Sequence, residues 1–133
     1  PVVDVKVALV DGSYHPVDSS EMAFRAAGSI AMKEGLRQGK SVLLEPIMDM
    51  EIVTPEEFLG EVLGDLGGKR ARIETVEAES GTQTIRAATP LSELFGYATT
   101  LRSMSQGRAG FSMEFGRHEE VPSSVAEQLL VRA

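Results

Sequence analysis

Cysteine is absent from the 133 residues, and with it go disulfide frameworks, thiolate metal sites and cysteine nucleophiles. Any chemistry has to come from two histidines, hydroxyls and carboxylates. Also lacking is any apolar run approaching the ~20 residues of a membrane-spanning helix, and 42% hydrophobic with 25% charged residues is globular usage with no membrane partner. Positive charge is scarce. Thirteen Lys and Arg face twenty Asp and Glu, a formal net charge of −7. That excludes the basic footprint of a free-standing nucleic-acid binder and leaves only local RNA contact open. No secretory or transit pattern opens the chain, which begins at Pro1 without an initiator methionine. The expectation is a cytoplasmic protein of which this is a piece. The length allows a domain of about 80 residues plus a remnant of another.

Val3, Val5, Val7 and Leu9 alternate with Asp4, Lys6 and Ala8, which predicts a strand over 2–10. Asp11-Gly12-Ser13-Tyr14-His15-Pro16 then predicts an exposed loop. Asp18 with Glu21 three residues on fits a helix N-cap, and 19–38 supply a helix. Ala23, Phe24, Ala27, Gly28, Ala31, Met32 and Gly35 share one side of it, to be buried against a sheet. One strand and one helix cannot bury such a face alone, so this segment reads as half a domain. The uncovered strand edge and helix face predict self-association of the isolated chain.

From Leu44 the elements are a strand around 47–53, a helix begun by Thr54-Pro55-Glu56-Glu57 and ended by Gly67-Gly68, and a strand near 71–78. A turn at Ser80-Gly81 leads to a return strand over 82–88. Next comes a helix started by Pro90, with Leu91, Leu94, Phe95, Ala98 and Leu101 as its apolar stripe, closed by Gly107. Phe111, Met113 and Phe115 alternate in a last strand. The order βαββαβ is the α+β ferredoxin-like sandwich, here preceded by a β-α remnant of a second α+β domain. Pro122 and the run Val125, Leu129 and Leu130 suggest a terminal helix over 122–133.

Three constellations invite chemistry. Gly35-Leu36-Arg37-Gln38-Gly39-Lys40-Ser41 has one residue too few between its glycines for a phosphate loop and a strand, not a helix, after the lysine. His15 lies near Asp18, Ser19 and Ser20, yet Asp18 and one serine are accounted for by capping, leaving an ordinary loop histidine. His118 beside Glu119 and Glu120 lacks the spacing of a zinc hydrolase and reads as a strand end. No catalytic set and no metal site emerges. Two basic clusters remain, Lys69, Arg70 and Arg72 after the first helix of the compact domain, and Arg102, Ser103, Gln106 and Arg108 at the end of its second. Arginine pairs bidentately with phosphate and stacks on unpaired bases, so these patches can grip folded RNA. Cations at helix C-termini also favour the helix dipole, and the residues alone leave both readings open.

Val17-Asp18-Ser19-Ser20-Glu21-Met22-Ala23-Phe24, Leu43-Leu44-Glu45-Pro46-Ile47-Met48 and Pro90-Leu91-Ser92-Glu93-Leu94-Phe95-Gly96-Tyr97-Ala98-Thr99 closely resemble segments of elongation factor G. So do Thr100-Leu101-Arg102-Ser103, Ser105-Gln106-Gly107-Arg108 and Met113-Glu114-Phe115, and the resemblance runs through nearly the whole chain in order and spacing. It implies that 1–40 are the closing strand and helix of the tip domain, 42–121 the ferredoxin-like domain, and 122–133 a C-terminal helix. The tip loop, with Ser13, Tyr14, His15, Asp18 and Ser19, would face transfer RNA and messenger in the A site, on the small-subunit side of the ribosome. Arg102, Ser103, Gln106, Arg108, Lys69 and Arg70 would face large-subunit ribosomal RNA, the first three at the sarcin-ricin loop.

The implied action is steric. GTP hydrolysis in a distant N-terminal domain drives rearrangement, and the tip domain keeps the displaced transfer RNA from slipping back. The phosphate loop that binds GTP and Mg is absent here, so no cofactor and no enzymatic activity are expected of these residues. A ribosomal protection protein or a paralogue of the factor is the near alternative, against which the tip sequence Ser13-Tyr14-His15 speaks. The alternative of another class, a ferredoxin-like regulatory module, calls for an apolar ligand cleft.

Overall fold

The structure, a computed structural model, describes residues 1–132, with side chains through residue 129. It comprises two compact units, Pro1–Ser41 and Val42–Ala133. In the first, helix α1 (Glu21–Gln38) starts at Ser20, whose extended backbone and Oγ, 3.1 Å from Ala23 N, satisfy one of the free N–H groups of the first turn. Asp18, expected in that role, sits instead in the turn that precedes Ser20, too early to reach the helix. Residues 2–10 form no strand, contrary to their alternation. A strand exists through ladder bonds to a neighbour, and this unit has no second strand to provide them. For the same reason no α1 residue is buried, and Phe24 and Met32 of its apolar side are exposed.

The second unit has strands β1 (Leu44–Pro55), β2 (Arg72–Glu79), β3 (Thr82–Pro90) and β4 (Gly110–Glu120) with helices α2 (Leu59–Gly67), α3 (Tyr97–Met104) and α4 (Ser123–Arg132). The four strands form one antiparallel sheet in the order β2-β3-β1-β4. Two crossovers with α2 and α3 on one face make this the ferredoxin-like α+β sandwich. Met50 and Ile52 of β1, opposite Ala87 and Ile85 of β3, turn to that face, where they pack with Val62, Leu66, Leu94, Tyr97 and Leu101. The β2–β3 turn uses left-handed Ser80 and Gly81, as a tight hairpin requires.

Three departures from the expected elements have local causes. Thr54 does not cap a helix. It is the fully buried penultimate residue of β1, and a 3-10 turn at Glu56–Phe58 intervenes before α2. The helix expected from Pro90 is divided into a 3-10 turn at Leu91–Glu93 and α3, because Gly96 takes φ 75° between them. That break rotates Phe95 out of the stripe, leaving it 82% exposed, while Tyr97 enters the core. In β4 the pairing to β1 slips between Ile47 and Met48. Phe111, Met113 and Phe115 keep the phase of Ile52, Met50 and Met48, whereas Arg117 and Glu119 pass to the opposite face. The slip leaves Gly116 unpaired over Asp49, where a Cβ would stand 2.8 Å from a carboxylate oxygen.

Candidate functional site

The exit of α3, like that of α2 at Arg70, closes through a left-handed residue that is not glycine. Gly107 N–H donates to Arg102 O (2.9 Å) and Ser105 N–H to Leu101 O (3.1 Å), closing the last turn. This closure requires a left-handed residue after the cap, a place glycine normally takes. Gln106 holds it instead, with φ 54°, before Gly107 at φ 79°. A side chain in that conformation costs about 1 kcal/mol.

Ser105 lies fully buried beneath the turn. Its Oγ donates to Leu101 O (2.7 Å) and accepts from Ala109 N–H (3.0 Å), so the end of α3 and the start of β4 are bonded to one atom. Arg108 turns back across the same end, where its guanidinium pairs with Glu57 and lies 5.6 Å from the Phe58 ring centre. Arg102, Ser103 and Gln106 are left pointing outward, exposed and, among the described residues, without a side-chain partner.

Lys69 and Arg70 belong to the opposite end of the helix pair. Lys69 Nζ is 3.8 Å from Asp65 Oδ1 and 5.9 Å from the ring of Tyr97, the first residue of α3. Arg70 donates to both oxygens of Glu45 (2.7 and 3.1 Å) and to Glu93 Oε1 (3.1 Å), and these bonds hold its guanidinium above the usual range. Because α2 and α3 run antiparallel, the structure does not bring the two basic clusters together. Arg102, Ser103, Gln106 and Arg108 gather at one end, whereas Lys69 and Arg70 are half-buried in ion pairs at the other. Arg72 is bonded to Glu119 at 2.6 Å. The sequence has no signal for this, since the carboxylates that engage Arg70 lie more than 20 residues away along the chain.

In the first unit the loop before α1 is tied by one backbone bond and one bond to the Ser19 hydroxyl. His15 N–H donates to Ser19 Oγ (2.8 Å) and Ser19 N–H to His15 O (2.9 Å), closing the turn around Asp18. Tyr14 stacks on Phe24 of α1, with ring centres 6.5 Å apart and planes 16° from parallel. Ser13, His15 and Asp18 are exposed and only Ser19 is partly covered. A fixed loop with an outward imidazole suits hydrogen bonding or stacking on an unpaired base.

Charge is divided unequally. Residues 1–41 contain five acidic and five basic side chains, so the net −7 resides in residues 42–133. The exposed Arg102 end is therefore a local exception on an acidic unit. On the sheet face away from α2 and α3, a cleft of about 380 Å³ is lined by Ile47, Ala88, Pro90 and Pro122, with Arg70, Arg72, Glu45 and Glu119 among its walls. Those charges are paired with one another, so this is not an apolar ligand pocket. Among the described residues no cluster of three or more His, Asp or Glu side chains is set to hold a metal ion, and no helix is long and apolar enough to cross a membrane. His118 packs against Phe115, with ring centres 5.0 Å apart.

Comparison with known proteins places this geometry in context. Residues 1–40 match the model of elongation factor G, domain IV, and residues 42–129 match the model of the elongation factor G C-terminus. A crystal structure of a Thermus thermophilus protein is 38% identical and superimposes with a TM-score of 0.77, over 90% of this chain and 18% of that one. The present chain thus spans about a fifth of that relative's length.

Proposed function

Since this chain belongs to the elongation factor G family, we propose that it is the ribosome-docking C-terminal part of a factor promoting GTP-dependent movement of transfer RNA and messenger. GTP and Mg are bound, and GTP is hydrolysed, by a part of the protein outside these 133 residues. Residues 1–40 supply the end of the tip domain, with Ser13, Tyr14, His15, Asp18 and Ser19 toward transfer RNA and messenger. Residues 42–121, with the following helix α4, form the module that meets large-subunit ribosomal RNA.

The observation that carries this reading is the exposed set Arg102, Ser103 and Gln106 at the end of α3, with Gln106 held in a left-handed conformation. Gln106 occupies a position that glycine would fill without strain, as Lys40, Arg70 and Ser80 also do, so its exposure rather than its backbone is what counts. It stands beside exposed, unpartnered Arg102 and Ser103 on an otherwise acidic unit, a combination suited to phosphate and base edges. Gln106→Gly is therefore expected to move stability and binding in opposite directions. Its denaturation midpoint rises, by up to about 1 kcal/mol in free energy, while its affinity for purified large ribosomal subunits falls, as it does for Arg102→Ala. Equal or tighter binding by Gln106→Gly would overturn the assignment of that end.

The tip loop has its own test. In the intact factor His15→Ala is expected to slow translocation while leaving GTP hydrolysis nearly unchanged, because the imidazole touches RNA and takes no part in phosphate chemistry. Rapid kinetics of both steps on the same ribosomes measures this, and unchanged translocation would remove the tip assignment.

A further inference from the structure

We infer that Ser105, which faces away from solvent and meets no ligand, is the positioning residue for the RNA-contacting end of residues 42–133. This inference rests on the ribosomal RNA reading of Arg102, Ser103 and Gln106.

The geometry is specific. The left-handed turn at Gln106 and Gly107 is closed by backbone bonds, Gly107 N–H to Arg102 O and Arg108 N–H to Ser105 O, and one side-chain hydroxyl, that of Ser105, ties it to the start of β4. Ser105 Oγ donates to Leu101 O, four residues back, and accepts from Ala109 N–H, four residues ahead. The first bond shares its acceptor with Ser105 N–H and fixes the hydroxyl against the turn that carries Arg102 and Ser103. The second ends the loop at a fixed distance and turns the chain into β4. Arg102, Ser103 and Gln106 thus lie on a segment whose two ends meet at one buried atom. Ser105 has zero solvent exposure, so its hydroxyl cannot exchange these bonds for water.

Removing that hydroxyl frees Ala109 N–H in a partly buried place and unties the loop from the helix. The strained Gln106 conformation then relaxes toward ordinary backbone, and the segment bearing the three RNA-facing side chains must be ordered anew at each binding event. These side chains are already free to rotate in the tied loop, so the added cost is about that of ordering one more of them, roughly a fivefold to tenfold loss of affinity. Arg108, anchored independently on Glu57 and Phe58, does not replace the lost constraint, since it follows the turn rather than spanning it.

A purely structural serine would lower stability without selectively lowering binding, and the test separates the two. Ser105→Thr and Ser105→Val add the same volume and differ only in the hydroxyl. Both are compared with the unsubstituted 133-residue chain, with Arg102→Ala, and with Val62→Ala. The last removes part of a fully buried core residue on α2, outside the turn. Affinity for purified large ribosomal subunits is measured below every variant's unfolding midpoint.

The expected result is that Ser105→Thr binds within about twofold of the unsubstituted chain, Ser105→Val binds roughly fivefold to tenfold more weakly, and Val62→Ala is unaffected despite its lower midpoint. Equal affinity of the Thr and Val variants, or an equal loss in Val62→Ala, would overturn the positioning role. If Arg102→Ala also binds like the unsubstituted chain, the ribosomal RNA reading itself has failed, and the positioning role with it.

Discussion

Arg70→Ala is expected to be among the most damaging single substitutions in residues 42–133, although it replaces a basic residue in a cluster that reads, in sequence, as an RNA contact. Its guanidinium holds Glu45, whose side chain is 10% exposed, through two bonds, and reaches Glu93 through a third. Truncation leaves the Glu45 carboxylate largely out of water and without a partner. Breaking a buried pair from one side costs about 3–5 kcal/mol. Arg70 retains some solvent contact, so about 3 kcal/mol applies, a fall in midpoint on the order of 15 °C for a domain of this size.

Chemical and thermal denaturation measure that loss, and a second substitution identifies its cause. Glu45→Leu in the Arg70→Ala background removes the stranded charge beside Ile47 and should recover most of the stability. The double variant also separates two roles of Arg70. If it folds well and binds large ribosomal subunits with undiminished affinity, Arg70 serves the fold. If it folds well and binds weakly, Arg70 also reaches RNA, as its neighbours at the α2 exit first suggested.

Alkali is expected to unfold the same domain through Tyr97. The phenol is buried at the junction of α2 and α3, with its ring edge-on to Phe111 and, among the described residues, no partner for its oxygen. Burial first, and the nearby Asp65 charge second, push its pKa up to about 12. The ordinary value is about 10, so the unfolded chain releases this proton before the folded one does. The neutral phenol's contribution is therefore complete below about pH 10 and is lost as pH rises toward 12. Two units correspond to roughly 2–3 kcal/mol. Denaturant titrations across that window, with Tyr97→Phe as reference, test this. The unsubstituted chain should lose stability more steeply with pH than the Phe variant, and parallel curves would show that Tyr97 is not the group responsible.

Tyr97 also illustrates what is hard to read from a chain. The stripe Leu91, Leu94, Phe95, Ala98 and Leu101 has good helical spacing, and spacing alone puts Phe95 inside. Gly96 decides otherwise, because one left-handed residue resets the phase of everything after it. The β4 slip at Gly116 acts in the same way, sending Arg117 and Glu119 to the other face. Single-residue breaks of this kind are weak signals in sequence, since glycine is tolerated in many places. The 2–10 segment failed for a different reason. Its alternation is real, but pairing is a property of two segments, and the unit holding it has only one.

By itself the sequence determined the α+β order of elements, the family through its run of matching segments, the lack of any thiol chemistry in its composition, and the residues worth suspecting of RNA contact. Those follow from local periodicity and residue type, which survive without knowledge of neighbours. Only the tertiary structure decided which suspects are free. Lys69 and Arg70 are drawn into ion pairs with Asp65, Glu45 and Glu93, while Arg102, Ser103 and Gln106 stand open at the opposite end of an antiparallel helix pair. A charge already paired within the fold is less available to a ligand, and the partners that pair Arg70 lie more than 20 residues away in the chain, where local periodicity cannot show them.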